Sequence, residues 1–528
     1  MFLNWLLGKG RYPYLGLLLL TTAVFSFFAL RIGGGAETES MVSRDEAQNR
    51  NYAAFRNAFG SDEEMLLSVT HPSLLAPEGL RLLDELTKEI GGFGGVRRVY
   101  SLTNARHAVP SPVGAESELL VPRPFDVPGV SPRVLSALDD NPKLASLLIS
   151  RDRRTAGITI EIDDRIGADT SKSGVIDALR GLMARRAGEA ELHLSGIAVQ
   201  KHDVAEFVRR DKTFLVPLSM LVLATMLAIT FRHFPGVLIP MAVKVVSVVW
   251  TMGAYAMAGY RLNPITALLP PLIIVLSIST SVHLYDGWLQ IPEGSGDRVP
   301  RILQETRRLF LPSLFTSIAT AFGLLALAVS DIPAVRQFGV FGALGVFVSF
   351  GLSATLVPVA LSFFSPPRPE KISSAIVAVR RFLSGVAHLS TDWSRTVLAV
   401  ALVPMLLTGG IMGYSGIDLN VGTAMIAPVV LGLVVDNTIH YLARYRGEYR
   451  EDVLGAVMRT TTGAGRALFA SSLILAFGFG VGGFGSFKPT VHFSLLAGGT
   501  MLAAVACVLL VLPACLVLSD RPEGGSTG

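Results

Sequence analysis

Charged residues are scarce in this sequence. Only 16% of its 528 residues are Asp, Glu, Lys or Arg, whereas 50% are hydrophobic, and soluble domains average about 25% charged residues. The hydrophobic residues are grouped in runs long enough to cross a bilayer core, which needs about 20 helical residues. This composition excludes an ordinary soluble protein and predicts a polytopic integral membrane protein.

Cysteines and enzyme motifs are also nearly absent. The two cysteines, Cys507 and Cys515, both lie in the last apolar run, where no disulfide is expected. The sequence has no phosphate-binding Gly-x4-Gly-Lys-Ser/Thr loop, no His-Glu-x-x-His and no Cys/His cluster. We therefore predict no catalytic residues, no metal site and no cofactor, and find no support for an ATP-driven mechanism within this chain.

The apolar runs predict ten membrane spans. They cover residues 12–30, 213–231, 236–258, 265–286, 309–330, 337–364, 396–416, 421–443, 467–485 and 491–518. The first run lacks a clear small-residue cleavage pattern, so we interpret it as an uncleaved span rather than a signal peptide. An even number of spans places both termini on the same side of the membrane.

Basic residues identify that side. Arginines are concentrated in the loops that follow the second, fourth, sixth and eighth spans, and the alternate loops are nearly bare of charge. The positive-inside rule therefore places the termini and the basic loops in the cytoplasm, and residues 32–211 outside it. The net charge of +5 reflects this distribution, so we do not interpret it as nucleic-acid binding.

The long segment 32–211 has the composition of a soluble domain. Strand-like patterns at residues 64–70, 96–102, 156–162 and 191–196 combine with helical patterns at 77–89 and 174–185. A strand, a helix and a strand follow one another twice along this segment, and this order predicts one or two ferredoxin-like units. An unrelated α/β domain is the alternative interpretation.

The membrane body contains an internal repeat. The run Leu262-Asn-Pro-Ile-Thr-Ala-Leu-Leu-Pro-Pro271 recurs as Leu419-Asn-Val-Gly-Thr-Ala-Met-Ile-Ala-Pro428, and His283 recurs as His440 at the same offset of 157 residues. Further on, Ala321-Phe-Gly323 recurs as Ala476-Phe-Gly478. Polar residues kept in register over this distance indicate two related bundles, as in many transporters, whose working site lies between the repeats.

These features resemble the resistance-nodulation-division (RND) superfamily, in its MMPL-like, Patched-related branch of lipid and hopanoid exporters. The resemblance rests on one span, a large outer domain and five further spans. It also rests on four segments: Phe59-Gly-Ser-Asp-Glu63, Pro77-Glu-Gly-Leu80 with Leu86-Thr87, Ser101-Leu-Thr-Asn104, and Leu431-Gly-Leu-Val-Val-Asp436. It implies an α-helical membrane protein with two pseudo-repeats and one ferredoxin-like extracytoplasmic domain.

The second half departs from the family pattern. A single span, 396–416, leads directly to Asn420, so a second outer domain and its flanking helix, roughly 200 residues by comparison with segment 32–211 and one span, are missing. The implied organisation is a first span at 1–31, a porter-like domain at 32–211, a five-span bundle at 212–365, a cytoplasmic linker at 366–395, a reduced four-span repeat at 396–518 and a cytoplasmic tail at 519–528.

Asp436 is the one carboxylate that the sequence places well inside a span. An intramembrane charge is costly and usually faces a protein or water interior where it has a function. The family resemblance implies that Asp436 carries the coupling proton, with a structural polar contact as the alternative. Its match in the first repeat is Ser279, so the relay would set one acid against hydroxyls.

Several polar residues surround these two positions in the sequence. The proton-relay candidates are Asp436, Asn437, Ser279, Thr280, His440 and His283, and the path-lining candidates are Ser277, Ser281, Thr316, Ser317, Ser471 and Ser472. His440 lies one helical turn from Asp436 on the same face, but an interfacial, solvated position is the favoured interpretation for both histidines. Lys244, in the third span, is predicted either to snorkel to the headgroups or to pair with Asp436.

The leading hypothesis is a secondary active transporter, not an enzyme, that exports hydrophobic or lipidic molecules by proton antiport. The resemblance implies a bacterial inner membrane with residues 32–211 in the periplasm. The expected partners are membrane lipids, a hydrophobic or lipid substrate, protons, and a second copy or an accessory periplasmic protein, but no nucleic acid. A non-transporting membrane scaffold or lipid-binding protein derived from a truncated transporter is the alternative, and a protein-export accessory of the SecD/SecF kind is a third.

Overall fold

The computed structural model describes residues 2–32, 51, 54–55, 58, 64–111, 114–127, 129–162, 168–276, 278–289, 298–364, 403–450 and 452–519. The chain divides into two compact units. One consists of residues 1–43 and 207–528, and the other of residues 44–206. The segment Phe59-Gly-Ser-Asp-Glu63 and the predicted linker 366–395 lie outside the described residues.

The smaller unit contains a four-stranded antiparallel sheet. Its elements are β1 (Met65–Thr70), α3 (Pro77–Gly91), β2 (Val96–Tyr100), β3 (Arg106–Ser111), β4 (Gly114–Leu119), α4 (Val130–Asp140), α5 (Pro142–Leu148), β5 (Thr155–Ile162), α6 (Ala168–Arg185) and β6 (Glu191–Gly196). The strand order is β2-β5-β1-β6, which is the arrangement that two interleaved strand-helix-strand units produce. The ferredoxin-like prediction is therefore confirmed, with a single unit.

Alternation along the strands explains this sheet. Met65, Leu67 and Val69 of β1 are fully buried, while the residues between them are partly or fully exposed. The apolar stripe of α3, which includes Leu83 and Leu86, is buried in the same core. The β3–β4 hairpin and helices α4 and α5 lie between β2 and β5 in sequence, in the Pro-rich stretch for which no regular structure was predicted.

One family-like segment of this unit closes a buried polar cluster. Thr87 Oγ1 donates a hydrogen bond to Ser101 Oγ at 2.8 Å, and Asn104 Oδ1 accepts one from the Ser101 amide at 2.8 Å. The side-chain Nδ2 of Asn104 donates to the Val99 carbonyl at 2.8 Å. These hydrogen bonds pair the polar groups of the segment with one another and join α3 to the end of β2.

The larger unit is helical. Its helices are α1 (Phe2–Leu7), α2 (Arg11–Leu30), α7 (Ile197–Phe231), α8 (Phe234–Met257), α9 (Leu269–Val275), α10 (Ile278–Leu289), α11 (Arg298–Leu325), α12 (Pro333–Leu361), α13 (Val403–Tyr414), α14 (Val421–Ala424), α15 (Ile426–Glu448), α16 (Val453–Gly480) and α17 (Lys488–Ser519), α7 beginning in the smaller unit. Within the described residues, nine helical segments are long and apolar enough to cross a membrane. The predicted span 396–416 lies partly outside the described residues, and α13 is its described part.

Both repeats begin their central helix with the same capping box. Asn263 Oδ1 accepts from the Thr266 amide at 2.9 Å, and the Asn263 amide donates to Thr266 Oγ1 at 3.0 Å. The matching pair, Asn420 and Thr423, makes the same two bonds at 3.1 and 2.8 Å. The repeated Asn-x-x-Thr pattern therefore satisfies the free amides at the start of each helix.

The two repeats exchange equivalent contacts. Helix α11 of the first repeat packs against α15 of the second, and α16 of the second packs against α9 and α10 of the first. Within each repeat, α11 packs on α12 and α16 packs on α17. Reciprocal contacts of this kind are the signature of a two-fold relation, so the repeats are related by a pseudo-two-fold axis between α10 and α15.

Candidate functional site

The central helix of the first repeat is broken between α9 and α10, just before the candidate residue Ser279. Helix α9 ends at Val275, Leu276 is extended with φ −60° and ψ 148°, and α10 begins at Ile278. The matching helix of the second repeat, α15, runs without interruption from Ile426 to Glu448. Ser277, one of the predicted path-lining residues, lies outside the described residues. Discontinuous membrane helices expose backbone groups in the protein interior, where they bind polar partners.

Lys244 occupies this break. Its side chain is fully buried, and Nζ donates hydrogen bonds to the Leu276 carbonyl at 3.0 Å and to Ser349 Oγ at 2.6 Å. Helix α8 carries Lys244 and packs against both α9 and α12. The amine therefore lies inside the protein, at the broken helix, and not at a lipid headgroup. The structure therefore contradicts the snorkelling interpretation. Nor does Lys244 pair with Asp436, whose ion-pair partner among the described residues is a histidine.

We expect Lys244→Met to lower the free energy of unfolding by about 1–3 kcal/mol, because it leaves the buried Leu276 carbonyl without its donor while keeping the volume. Thermal unfolding of the detergent-purified protein measures the effect. Val245→Met is the matched control, since Val245 is the next residue of α8 and is 46% exposed. If Lys244→Met is more stable than wild type, burial of the amine destabilises the protein by more than its two hydrogen bonds stabilise it.

Asp436 is buried between the two repeats. Its side chain lies on α15 and is 5% exposed. The hydroxyls of Ser279 on α10 and Thr316 on α11 face the carboxylate, although Ser279 Oγ is not in normal hydrogen-bond geometry with any group in the described part of the chain. A carboxylate from the second repeat is thus surrounded by hydroxyls from the first.

The two repeat-equivalent histidines stack on each other beside this carboxylate. The ring centroids of His283 and His440 are 4.2 Å apart with an interplanar angle of 26°. His440 Nε2 lies 3.5 Å from Asp436 Oδ1, as the four-residue spacing predicts. The side chains are only 9% and 6% exposed, so the solvated, interfacial interpretation does not describe them. Equivalent residues that touch place the pseudo-two-fold axis through the pair.

The remaining candidate hydroxyls line the neighbouring helices. All are buried: Thr280, Ser281, Ser317, Ser471 and Ser472, together with Asn437. Asn437 Nδ2 donates to Ser472 Oγ at 3.0 Å, and Ser281 Oγ lies 2.9 Å from Ser353 Oγ. Ser471 instead donates to the Leu468 carbonyl of its own helix at 3.0 Å. Ser279 and Thr316 are therefore the hydroxyls that the structure brings to Asp436.

A cavity of about 450 Å³ lies next to the histidine pair, between α10, α11, α15 and α16. Its polar and charged lining residues are His283, Asp286, Arg308, His440, Arg444 and Glu448. Asp286 is buried and pairs with Arg466 across the repeats at 3.4 Å. These charges lie at or beyond the ends of the predicted spans, where a solvated position is expected, so the sequence does not predict that they belong to the site. A usable signal existed, since Asp286 lies seven residues, or two helical turns, after Ser279.

Metal binding has no support in the described residues. They contain no group of three or more His, Cys, Asp or Glu side chains that could hold a metal ion. The buried polar cluster offers one carboxylate and two imidazoles, which accept and release protons, and several hydroxyls, which donate and accept hydrogen bonds.

Two family comparisons match the chain. Residues 94–283 match the MMPL family, and residues 235–371 match the sterol-sensing domain of SREBP cleavage-activation. Membrane protein SCO5905 of Streptomyces coelicolor is 26% identical over 288 residues, which are 52% of this chain and 33% of that protein. Membrane protein MJ1562 of Methanocaldococcus jannaschii is 24% identical over 171 residues, 32% of this chain and 43% of that protein. The matches thus cover less than half of each relative.

A solved structure shares the fold. SecDF, a translocon-associated membrane protein from Thermus thermophilus, superposes with a TM-score of 0.51 over 95% of this chain and 98% of that one, at 11% sequence identity. The similarity in fold extends over both repeats and the smaller unit. The two partial family matches, the relatives and the repeated helical bundles make the chain similar to RND/MMPL-like membrane transporters.

Proposed function

We propose that the protein is a secondary active transporter that uses the proton-motive force to export hydrophobic or lipidic molecules across a bacterial inner membrane. The observation that carries this proposal is Asp436, a buried carboxylate that meets His440 of its own helix and hydroxyls of the other repeat. Protonation would remove the charge from this site, and a site between repeats is where such a change acts on their packing.

The ferredoxin-like unit is proposed to lie in the periplasm, where it would receive or pass the substrate. The partners that fit this role are membrane lipids, a lipid-like substrate, protons, and a second copy or an accessory periplasmic protein. Nucleic acid has no place in the proposal. Transport of a lipid across the membrane, driven by a proton gradient in reconstituted vesicles, is the experiment that tests it.

A second candidate function is a non-transporting scaffold or lipid-binding protein. Two observations favour it. Ser279 stands where the repeat would otherwise supply a second acid, and α13 is joined to α14 by residues 415–420 alone, with no second outer domain between them. A lipid that binds with no dependence of flux on the gradient would support this candidate over the transporter.

The proposed orientation predicts where reporter enzymes become active. Fusions after residue 150 should report from the periplasm, and fusions after residues 295, 380 and 450 should report from the cytoplasm, because the basic loops remain inside. A pair of alkaline phosphatase and fluorescent-protein reporters at each position measures both sides. A cytoplasmic signal at residue 150 would contradict the orientation and the direction of transport.

A further inference from the structure

The cavity beside the histidine pair connects surface residues to the buried core. Arg308, Gly447 and Gly463 line it and are exposed, while His283 and His440 line it and are buried. Its volume of about 450 Å³ is large compared with the roughly 30 Å³ that one water molecule occupies in the liquid. The cavity therefore has room for several water molecules between the surface and the two imidazoles, which is enough for a proton to pass along them.

Each acidic or basic side chain of the cavity wall has an ion-pair partner of opposite charge, either in the wall or beside it. On α15, Arg444 Nη2 lies 3.0 Å from Glu448 Oε1, and on α11, Arg308 Nη1 lies 3.4 Å from Glu305 Oε1. Between the repeats, Arg466 Nη2 of α16 lies 3.4 Å from Asp286 Oδ1 of α10. Since every wall carries matched charges, the cavity has no excess charge that would select an ionic substrate.

The histidines differ from these paired groups. Neither His283 Nε2 nor His440 Nε2 has a hydrogen-bond partner among the described residues, although both atoms are buried. Asp436 does not line the cavity, and His440 Nε2 lies 3.5 Å from its Oδ1 atom. The stacked imidazoles thus stand between the cavity and the carboxylate.

We infer that the stacked pair His283 and His440 is the cytoplasmic proton exit of Asp436, which releases one proton at a time through the cavity. This inference rests on the proposed function and names the route by which its proton leaves. The Asp436 O–H bond breaks as His440 Nε2 takes the proton, and the imidazolium then passes it to water in the cavity. Stacked rings 4.2 Å apart oppose two simultaneous positive charges, so only one of the two imidazoles carries an excess proton at a time.

The carboxyl of Asp436 can be followed directly by infrared spectroscopy after a pH jump on the cytoplasmic side of reconstituted vesicles, without any substrate. Wild type should show a protonated-carboxyl band that Asp436→Asn lacks. His440→Gln should keep the amplitude of this band at equilibrium but slow its response by about 100-fold, because a positioned proton-transfer group contributes at least that much. His283→Gln should slow it less, since His440 is the ring nearer to Asp436.

His492→Gln is the matched control, because this histidine lies on α17 and outside the cavity lining, and its response should equal that of wild type. In His440→Ala, imidazoles added to the cytoplasmic side should restore the response, and the logarithm of the restored rate should vary linearly with the pKa of the added imidazole, which a purely structural role of the ring would not produce. An unchanged rate in His440→Gln would overturn the exit while leaving Asp436 as the carrier. An Asp436 band that never responds to pH in wild type would overturn the proposed function as well.

Labelling tests the cavity even if the histidine variants fail to fold. Ala467 lines the cavity and is buried, so Ala467→Cys in a background with Cys507→Ser and Cys515→Ser should react with a membrane-impermeant maleimide added from the cytoplasm. Labelling from the periplasmic side alone would contradict the exit. Absence of labelling from the cytoplasm would contradict it too.

Discussion

Asp436→Asn is expected to reduce gradient-driven transport by about 100-fold or more, to the level of empty vesicles. Asparagine keeps the size of the side chain and much of its hydrogen bonding, but it cannot carry a proton. Folding and insertion should survive, because removing a buried charge lowers the cost of placing α15 in the membrane. The measurement is efflux of a fluorescent lipid from vesicles that hold matched amounts of each variant under an imposed pH gradient.

Two further variants show whether the effect belongs to the site. Asp331→Asn makes the same chemical change at an exposed position and should transport like wild type. Ser279→Ala should have a milder effect than Asp436→Asn, since the hydroxyl faces the carboxylate but is not itself the carrier. Equal transport by wild type and Asp436→Asn would show that this residue is structural and that the mechanism proposed above is wrong.

Gly478→Leu is expected to abolish transport and to lower the free energy of unfolding by about 1–3 kcal/mol, the usual cost of overpacking. A Cβ atom at Gly478 would lie 2.7 Å from Val275 Cγ2. Gly478 belongs to α16 of the second repeat, and Val275 ends α9 of the first, immediately before the helix break. Small residues allow membrane helices to approach closely, so a larger side chain would separate the repeats where Asp436 meets Ser279.

Gly480→Leu is the matched control for this prediction. It introduces the same side chain two residues later in α16, where a Cβ atom would meet nothing within 4 Å. Thermal unfolding and lipid efflux should both remain near wild type. If Gly478→Leu and Gly480→Leu behave alike, close contact between the repeats at Val275 is not required.

The sequence predicted the smaller unit well because its signals are local. Strands β1, β2, β5 and β6 and helices α3 and α6 were each located to within a few residues, from alternation and helical spacing that burial then enforced. The repeat was equally readable, since Asn263 and Asn420 each form a capping box that needs only the next three residues. The paired hairpin β3–β4 was missed because prolines obscured its pattern.

The candidate site was predictable in its members but not in its geometry. The repeat offset identified His283 and His440 as equivalents, yet only the packing of the two repeats against each other brings their rings into contact. The break at Leu276 has no clear local signal, because Pro270 and Pro271 lie a full turn or more before it. Because the break is not predictable from the sequence, the hydrogen bond from the Lys244 amine to a backbone carbonyl is not predictable either.

The dependence of wild-type transport on the proton gradient tests the central claim most directly. Vesicles containing the protein are loaded with a fluorescent lipid, and efflux is measured with the gradient imposed and again after a protonophore has collapsed it. For a proton-driven exporter we expect flux with the gradient and only the background of empty vesicles without it. Flux that is equal in the two conditions, or absent in both for every lipid tested, would contradict a proton-driven exporter, and lipid binding without flux would favour the scaffold.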